Sequence, residues 1–359
     1  MNVLIVTGAS GGHLYPALAL AEALKLRNPG VNIAFVCPKH SGLNEKIARQ
    51  GYKIFEISII RMRFGFIGFL KGIYGLVKSF AEVFLIIDKA RPDAVVGFGS
   101  YASLPAMLEA AFFKKPTIIH EQNVSLGLAN RMLAFFVDKV AVSFNETVLP
   151  RLCGGKKFFT GNPLGQRAGK VEKNKARGFF SLEDKFTILV LGGSLGAHNI
   201  NFAFTQAVNV LSKEEDFQFI HITGKNDYQA IKEAYSRIKL TNRVFSFLDE
   251  MSYAYCAADM VICRAGAGTI SELAYFAMPA ILIPYPLARN HQSENARVLS
   301  NQKAAVVIEE SGLTVDLLCE HIIGLIRSED NRRRQSENIK NFAQPAAAEK
   351  LAQLVERAA

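Results

Sequence analysis

Three short runs of small residues each follow an apolar stretch and open a helical pattern: Gly8 to Gly12, Gly192 to Gly196, and Ala265 to Thr269. Such a turn exposes backbone N–H groups without side-chain obstruction, and the amino end of the helix behind it adds a partial positive charge. The chemistry on offer is the holding of anions, phosphates first. Any strand-to-helix turn in an open sheet also needs small residues, so one loop alone says little. Three at strand ends say more, because ligands of open α/β sheets collect at the carboxyl ends of the strands. Glu272 ends the run Gly266-Ala267-Gly268-Thr269-Ile270-Ser271-Glu272. Two roles are open to it: a first-turn carboxylate favourable to the helix dipole by about 0.3–1 kcal/mol, or an acceptor for both hydroxyls of a nucleotide ribose. A diphosphate cradle next door favours the ribose.

Other phosphate chemistries fit less well. Gly8-Ala9-Ser10-Gly11-Gly12-His13 departs from the dinucleotide fingerprint G-x-G-x-x-G, and the second strand runs into Cys37-Pro38-Lys39 where an acidic residue should hold the ribose. No G-x-x-x-x-G-K-[ST] occurs. No D-x-D occurs either, which leaves a metal-bridged diphosphate without obvious ligands, so neither a metal nor a cofactor is expected.

The elements that must position these loops alternate along the whole chain, short β-branched runs with helix-period segments, the pattern of parallel sheets covered on both faces. Strands are expected near Val3 to Val6, Ile33 to Val36, Ile54 to Ile57, Ala94 to Val96, Thr117 to Ile119 and Val140 to Val142. A second series covers Thr187 to Leu191, Phe219 to Ile222, Val244 to Phe247, Met260 to Cys263, Ala280 to Ile283 and Ala305 to Ile308. Each series restarts as strand, small-residue loop, helix, so the architecture is duplicated: an α/β fold of two Rossmann-like, doubly wound parallel-sheet domains facing a cleft. Gly154 to Asp184, rich in Gly, Lys and Arg, reads as the linker, with the hinge near Pro163. The expected domains are 1–163 and 164–343, with 344–359 a terminal helix that packs back across the first.

Half of the 359 residues are apolar, enough for a core in each half. Cys37, Cys153, Cys256, Cys263 and Cys319 are scattered, without metal or redox spacing, and read as reduced thiols of a cytosolic protein. Val3 to Val6 is too short for a signal core. The most apolar stretch, Ile54 to Ile87, is broken by Arg61, Arg63, Lys71, Lys78 and Glu82, so a spanning helix is not expected. A formal charge of +10 draws the chain toward polyanions. Within Arg61 to Lys78, Phe64, Phe66, Ile67, Phe69, Leu70 and Tyr74 alternate with Arg61, Arg63, Lys71 and Lys78 and no anion intervenes. That composition suits an element lying in an anionic membrane surface, or a helix packed on its own domain with solvated cations. Nothing resembles an RNA-binding aromatic motif, and no nucleic-acid partner is expected.

The blocks Gly8 to His13, Gly97-Phe98-Gly99-Ser100-Tyr101, His120-Glu121-Gln122-Asn123, Gly161-Asn162-Pro163, Gly192 to Ala197, Cys263-Arg264-Ala265-Gly266, and His291-Gln292 with Asn295-Ala296 run nearly the full length in this order. Together the chain resembles the MurG family, which transfers N-acetylglucosamine from UDP-N-acetylglucosamine to undecaprenyl-diphosphate muramyl-pentapeptide, lipid I to lipid II. The resemblance implies a glycosyltransferase B fold, the polyprenyl-diphosphate acceptor on the N-terminal domain, the UDP-sugar on the C-terminal one, and a peripheral place on the cytoplasmic face of the membrane. It implies further that Ser194 contacts the diphosphate, Leu248 lies against uracil, and Glu272 holds the ribose. Ala267, Gly268, Thr269, Ile270, Ser271, His291 and Gln292 would line the nucleotide-sugar site; Ser10, Gly11, Gly12, His13 and Asn123 would reach the sugar or the acceptor diphosphate. The family's arginine after Gly-Asn-Pro is replaced by Gly165, with Arg167 two residues later as the candidate nucleotide contact, and Gly99-Ser100-Tyr101 stands where Gly-Gly-Tyr is usual.

Inverting sugar transfer needs a base for the attacking hydroxyl and a dipolar or cationic setting for the departing UDP. His13 is the first candidate base, since imidazole titrates near neutrality, or it is a helix-start residue bonded to its loop. Glu121 is the second, or a support of the loops. Arg264 stands beside the third loop as a charge for the leaving group, or as an ion-pair partner at a domain boundary. Another glycosyltransferase B enzyme, a UDP-sugar epimerase and a basic membrane-associated adaptor are the rival readings.

Overall fold

The computed structural model describes residues 1–39, 42, 44–59, 66–165, 169–192, 196–287 and 290–359; of 66–71, 73 and 76 it describes the backbone. Arg61, Arg63, Phe64, Arg167 and Ser194 lie outside the described residues.

Two compact units divide the chain, Met1–Gly165 with Pro345–Ala359, and Gln166–Gln344. The first holds strands β1 (Asn2–Val6), β2 (Asn32–Pro38), β3 (Lys53–Ile57), β4 (Ala94–Gly97), β5 (Thr117–Glu121), β6 (Lys139–Val142) and β7 (Lys157–Phe159). All pair in parallel, in the order β3-β2-β1-β4-β5-β6-β7. Helices α1 (Gly11–Arg27), α2 (Asn44–Arg49), α3 (Phe66–Ala90), α4 (Ser103–Phe112) and α5 (Leu128–Leu133) make the connections. The second unit begins with α6 (Lys173–Phe179) and holds β8 (Phe186–Leu191), β9 (Phe217–Ile222), β10 (Asn242–Phe245), β11 (Met260–Cys263), β12 (Ala280–Leu282) and β13 (Val306–Val307), parallel in the order β10-β9-β8-β11-β12-β13. Its other helices are α7 (His198–Leu211), α8 (Tyr228–Tyr235), α9 (Met251–Ala257), α10 (Ala267–Phe276), α11 (His291–Asn301), α12 (Val315–Arg327) and α13 (Glu329–Lys340).

The central strands are apolar on both faces because helices cover both. In the first unit Leu14, Leu20 and Phe35 lie in one buried cluster, Leu4, Val83 and Met107 in the other. In the second, Phe204, Phe219, Ile262 and Ile322 share one cluster. Both sheets reverse their winding once, between β1 and β4 and between β8 and β11. At such a reversal the two connections leave in opposite directions and open a crevice beyond the strand ends. The first two glycine loops follow β1 and β8, and the third follows β11.

The expected linker is more ordered than its composition suggests. Gly154 to Asp184 contains edge strand β7 and helix α6, whose cap residue Glu172 accepts the N–H groups of Asn174 and Lys175 at 3.0 and 3.1 Å. The third strand of the second series begins at Asn242 and ends at Phe245, two residues earlier than read from Val244 to Phe247. The terminal helix α14 (Ala347–Glu356) belongs to the first unit: Leu351, Ala352 and Val355 are buried against α1, and Arg27 pairs with Glu356 at 2.8 Å and Glu349 at 3.4 Å.

Candidate functional site

At the reversal in the first unit, three loops interlock. A Cβ on Gly8 would stand 2.6 Å from Cβ of Ser100, so only glycine lets the β1 loop meet the β4 loop. No side chain caps α1; the Ser10 Oγ instead lies 2.7 Å from Nδ1 of His13. The far nitrogen faces the β4 loop, where Gly99 adopts φ +85° and a Cβ would come within 3.4 Å of Nε2. Burial lowers the His13 pKa below its ordinary value, with the charge of Glu121 acting the other way. A largely neutral imidazole near pH 7 follows.

Glu121 is 2% exposed and fully engaged. One oxygen accepts the N–H and the side-chain amide of Asn123, at 3.0 and 3.1 Å. The other accepts the N–H of Gly127 and the amide of Asn130, both at 2.9 Å. The carboxylate thus ties β5 to its following loop and to the start of α5. Asn130 also donates to the His120 carbonyl, and the buried His120 ring bonds the Gly161 carbonyl through Nε2 at 3.1 Å and Gln122 through Nδ1 at 3.2 Å. Burial drives His120 down to about 4, so it stays neutral and donates to Gly161. His120, Gln122 and Asn130 form a framework that reading by type missed; the His-Glu-Gln-Asn block signalled it without revealing who bonds whom.

In the second unit, Gly192 could carry no Cβ, which would meet the Ala197 nitrogen at 2.6 Å, and Gly196 at φ +82° packs on the Thr223 carbonyl. The helices that follow β8, β11 and β12 are α7, α10 and α11, and none has a side-chain cap. Among the described residues no cap side chain takes their leading N–H groups, which leaves them to an anion. Around Gly268 a Cβ would meet nothing within 4 Å, so the start of α10 is accessible. Ile270 is 1% exposed, which leaves only its backbone for a ligand, and Ser271 returns its hydroxyl to the Ala267 carbonyl at 2.9 Å. Leu248 is buried, and its chain neighbour Phe247 is exposed.

Glu272 lies in the second turn of α10, not the first, so the helix-dipole role does not apply to it. Half-buried, it accepts one hydrogen bond among the described residues, from the hydroxyl of the buried Tyr255 at 2.8 Å, and burial raises its pKa to about 6 against the opposing effect of that bond. Arg264 is committed within its own unit: it pairs with Glu310, donates to the carbonyls of Ile283 and Pro284 at 3.1 and 3.3 Å, and lies over the Tyr285 ring. It therefore braces the β11 and β12 loops and has little left for a leaving group. Gln292 takes the Tyr285 N–H at 2.9 Å, while Nδ1 of His291 is buried and without a partner among the described residues. Asn295 reaches back to the Ala265 carbonyl at 3.2 Å. Gly268 and Glu272 thus lie in the first two turns of α10 and His291 and Gln292 in the first turn of α11, the helices that follow the adjacent strands β11 and β12, while Ser10, His13, Glu121 and Asn123 lie around β1, α1 and β5 of the other unit.

Along α3, Tyr74 and Lys78 are exposed; the side chains of Phe66, Phe69 and Lys71 are not described. Val77, Phe84 and Leu85 continue the exposed apolar surface, and the Phe84 ring meets Phe113 at 5.7 Å beside an 80% exposed Phe112. Among the described residues no helix is long and apolar enough to cross a membrane, and no group of His, Cys, Asp or Glu has metal-site geometry.

Residues 3–142 match the N-terminal domain of glycosyltransferase family 28, and 187–354 its C-terminal domain. A UDP-N-acetylglucosamine--N-acetylmuramyl-(pentapeptide) pyrophosphoryl-undecaprenol N-acetylglucosamine transferase of Thermodesulfovibrio yellowstonii is 39% identical, over 99% of this chain and 98% of its own length. The protein of the same name from Acetivibrio thermocellus is 35% identical over 99% and 97%. Among solved structures, MurG of Acinetobacter baumannii superposes with a TM-score of 0.79 at 27% identity, over 99% of this chain and 100% of that one. The fold is of the glycosyltransferase B type. With both domain patterns in sequence and full-length relatives on either side, the chain belongs to glycosyltransferase family 28, among the MurG transferases.

Proposed function

We propose that this chain transfers N-acetylglucosamine from UDP-N-acetylglucosamine to the muramyl C4 hydroxyl of undecaprenyl-diphosphate muramyl-pentapeptide, with inversion. The observation that carries this reading is the gathering of three uncapped helix starts at neighbouring strand ends of the second unit, with the half-satisfied Glu272 beside them. Helix N–H groups and dipoles suit a diphosphate, and they keep their orientation as charge builds on the departing UDP. Glu272 offers its free oxygen to the ribose, and Leu248 with Phe247 supplies an apolar wall for uracil. The Gly192–Gly196 loop with Ser194, together with Arg167, completes the donor set in this proposal.

The acceptor is assigned to the first unit. His13, held by Ser10 through Nδ1, takes the C4 hydroxyl proton on Nε2 as that oxygen attacks the anomeric carbon and the bond to UDP breaks. Its lowered pKa keeps the accepting form populated at neutral pH. Glu121, with both oxygens occupied, positions the loop that presents Asn123. The polyprenyl chain needs a lipid surface nearby. Arg61, Arg63, Phe64, Phe66, Phe69, Lys71, Tyr74 and Lys78, continued by Phe84 and Phe112, have the composition for one of anionic headgroups.

Incubating the chain with UDP-N-acetylglucosamine and the lipid-linked muramyl-pentapeptide is expected to give the lipid-linked disaccharide by mass spectrometry, with no comparable product from UDP-glucose. An epimerised nucleotide sugar without transfer would overturn the reading. Replacing Phe66 and Phe69 with Ser should weaken sedimentation with anionic vesicles and leave UDP binding intact; unchanged sedimentation would remove the membrane role.

A further inference from the structure

We propose that Tyr255 is a positioning residue for donor recognition, holding one oxygen of Glu272 so that the other stays ionised and aimed at the ribose. The inference rests on the reading of Glu272 as the ribose acceptor. Tyr255 is on α9, seventeen positions before Glu272, and no motif links the two. Its ring is 1% exposed and stacks on Phe276 of α10 at 5.0 Å with an interplanar angle of 14°. The phenol is thereby fixed against the helix that carries the carboxylate. Among the described residues its hydroxyl has one partner, Oε2 of Glu272 at 2.8 Å.

The bond does two things. It removes rotation about the terminal torsion of Glu272, which is otherwise broad. It also stabilises the charged carboxylate against its burial, and a phenol can do so as a neutral donor without introducing a cation that would compete for the diphosphate. Among the described residues the remaining surroundings supply no substitute. Cys263 on β11 is buried and its thiol is pushed far up, so it is neutral. The neighbouring helices α13 and α11 send uncharged side chains to either end of α10: Gln335 and Ser336 bond the Ala280 N–H and the Ala277 carbonyl, and Asn295 the Ala265 carbonyl. Lys170 lies over the Tyr275 ring rather than at Glu272. Without the hydroxyl of Tyr255, the carboxyl would bind its proton more tightly than it does now, at about pH 6.

The test is the affinity of the full chain for UDP-N-acetylglucosamine, whose diphosphate is esterified at both ends and does not titrate in this range, at pH 6.5 and 8.5 for wild type, Y255F and E272Q. In Y255F the acidic loss of affinity should begin about one pH unit higher, so the variant is weaker than wild type by about threefold more at pH 6.5 than at pH 8.5. An equal ratio at both pH values would overturn the proposal and leave Tyr255 a packing residue, with the ribose role of Glu272 intact. Wild-type affinity in E272Q would instead defeat the ribose reading itself. Should Y255F not fold, 3,5-difluorotyrosine placed at 255 keeps the ring and makes a stronger donor; the acidic limb must then move to lower pH, and an unmoved limb counts against the proposal.

Discussion

Around Glu121 four donors converge on one carboxylate; around Glu272, among the described residues, there is one. Glu121 is the last residue of β5 and Glu272 lies in the second turn of the helix that follows β11, each on the carboxyl side of a parallel strand, where open sheets bind ligands. A carboxylate has about four acceptor positions. With all of them filled by its own chain, Glu121 binds its loop together and has nothing to offer a substrate. Glu272 holds one bond, keeps an oxygen free and has its pKa raised by burial, the condition of a group awaiting a partner. Residue type and location are therefore poor guides to role until the donors around each oxygen are counted.

The contrast is open to attack at several points. The largest effect is expected at His13, next to Glu121: His13→Ala should lower kcat about a hundredfold to ten-thousandfold with little change in the KM for donor, measured by disaccharide formation. A comparable loss in E121Q with an unaltered melting temperature would make Glu121 the base and reverse the assignment. Next is Glu272→Ala, which should raise the donor KM roughly tenfold to a hundredfold, the size of a lost charged hydrogen bond, and lower the melting temperature by a few degrees at most, because the buried Tyr255 hydroxyl loses its partner. Glu121→Gln should behave the other way. Its new amide would face the N–H of Gly127 and the amide of Asn130, a donor against donors. The cost is about 1–3 kcal/mol, read as a melting temperature lowered by a few degrees.

The smallest effect is a response to pH. His120 is buried with a pKa near 4, while an unfolded histidine protonates near 6.5. Its contribution to stability is present above pH 6.5 and is lost as the pH falls, by about 0.8 kcal/mol between pH 7.5 and 6. Glu272, raised to about 6, has the opposite sign: protonation favours its folded environment, and that contribution is lost as pH rises through 6. Protection factors, taken relative to the intrinsic exchange rate at each pH, should therefore fall around the 120–130 loop on acidification while those of α10 do not follow.

Most of the fold could be read from residue order alone. Strands such as Leu4 to Val6 and Ile188 to Leu191 are buried on both sides, and continuous β-branched runs mark that environment. The strand at Lys157–Phe159 escaped because it is a three-residue edge with Phe158 and Phe159 partly exposed, set among Gly and Lys that read as linker. The glycine turns were legible because backbone approach at Gly8 and Gly192 excludes a side chain. The commitments of side chains were not. Tyr255 and Glu272, Arg264 and Glu310, and His120 and Gly161 are pairs brought together by packing between elements, and spacing along the chain holds no trace of them.

The most direct test of the account is a crystal structure of the chain with UDP-N-acetylglucosamine. The ribose hydroxyls should lie within hydrogen-bond distance of the Glu272 oxygen not held by Tyr255, with the diphosphate against the amino end of α10. A nucleotide bound elsewhere, or a ribose turned away from Glu272, would contradict it.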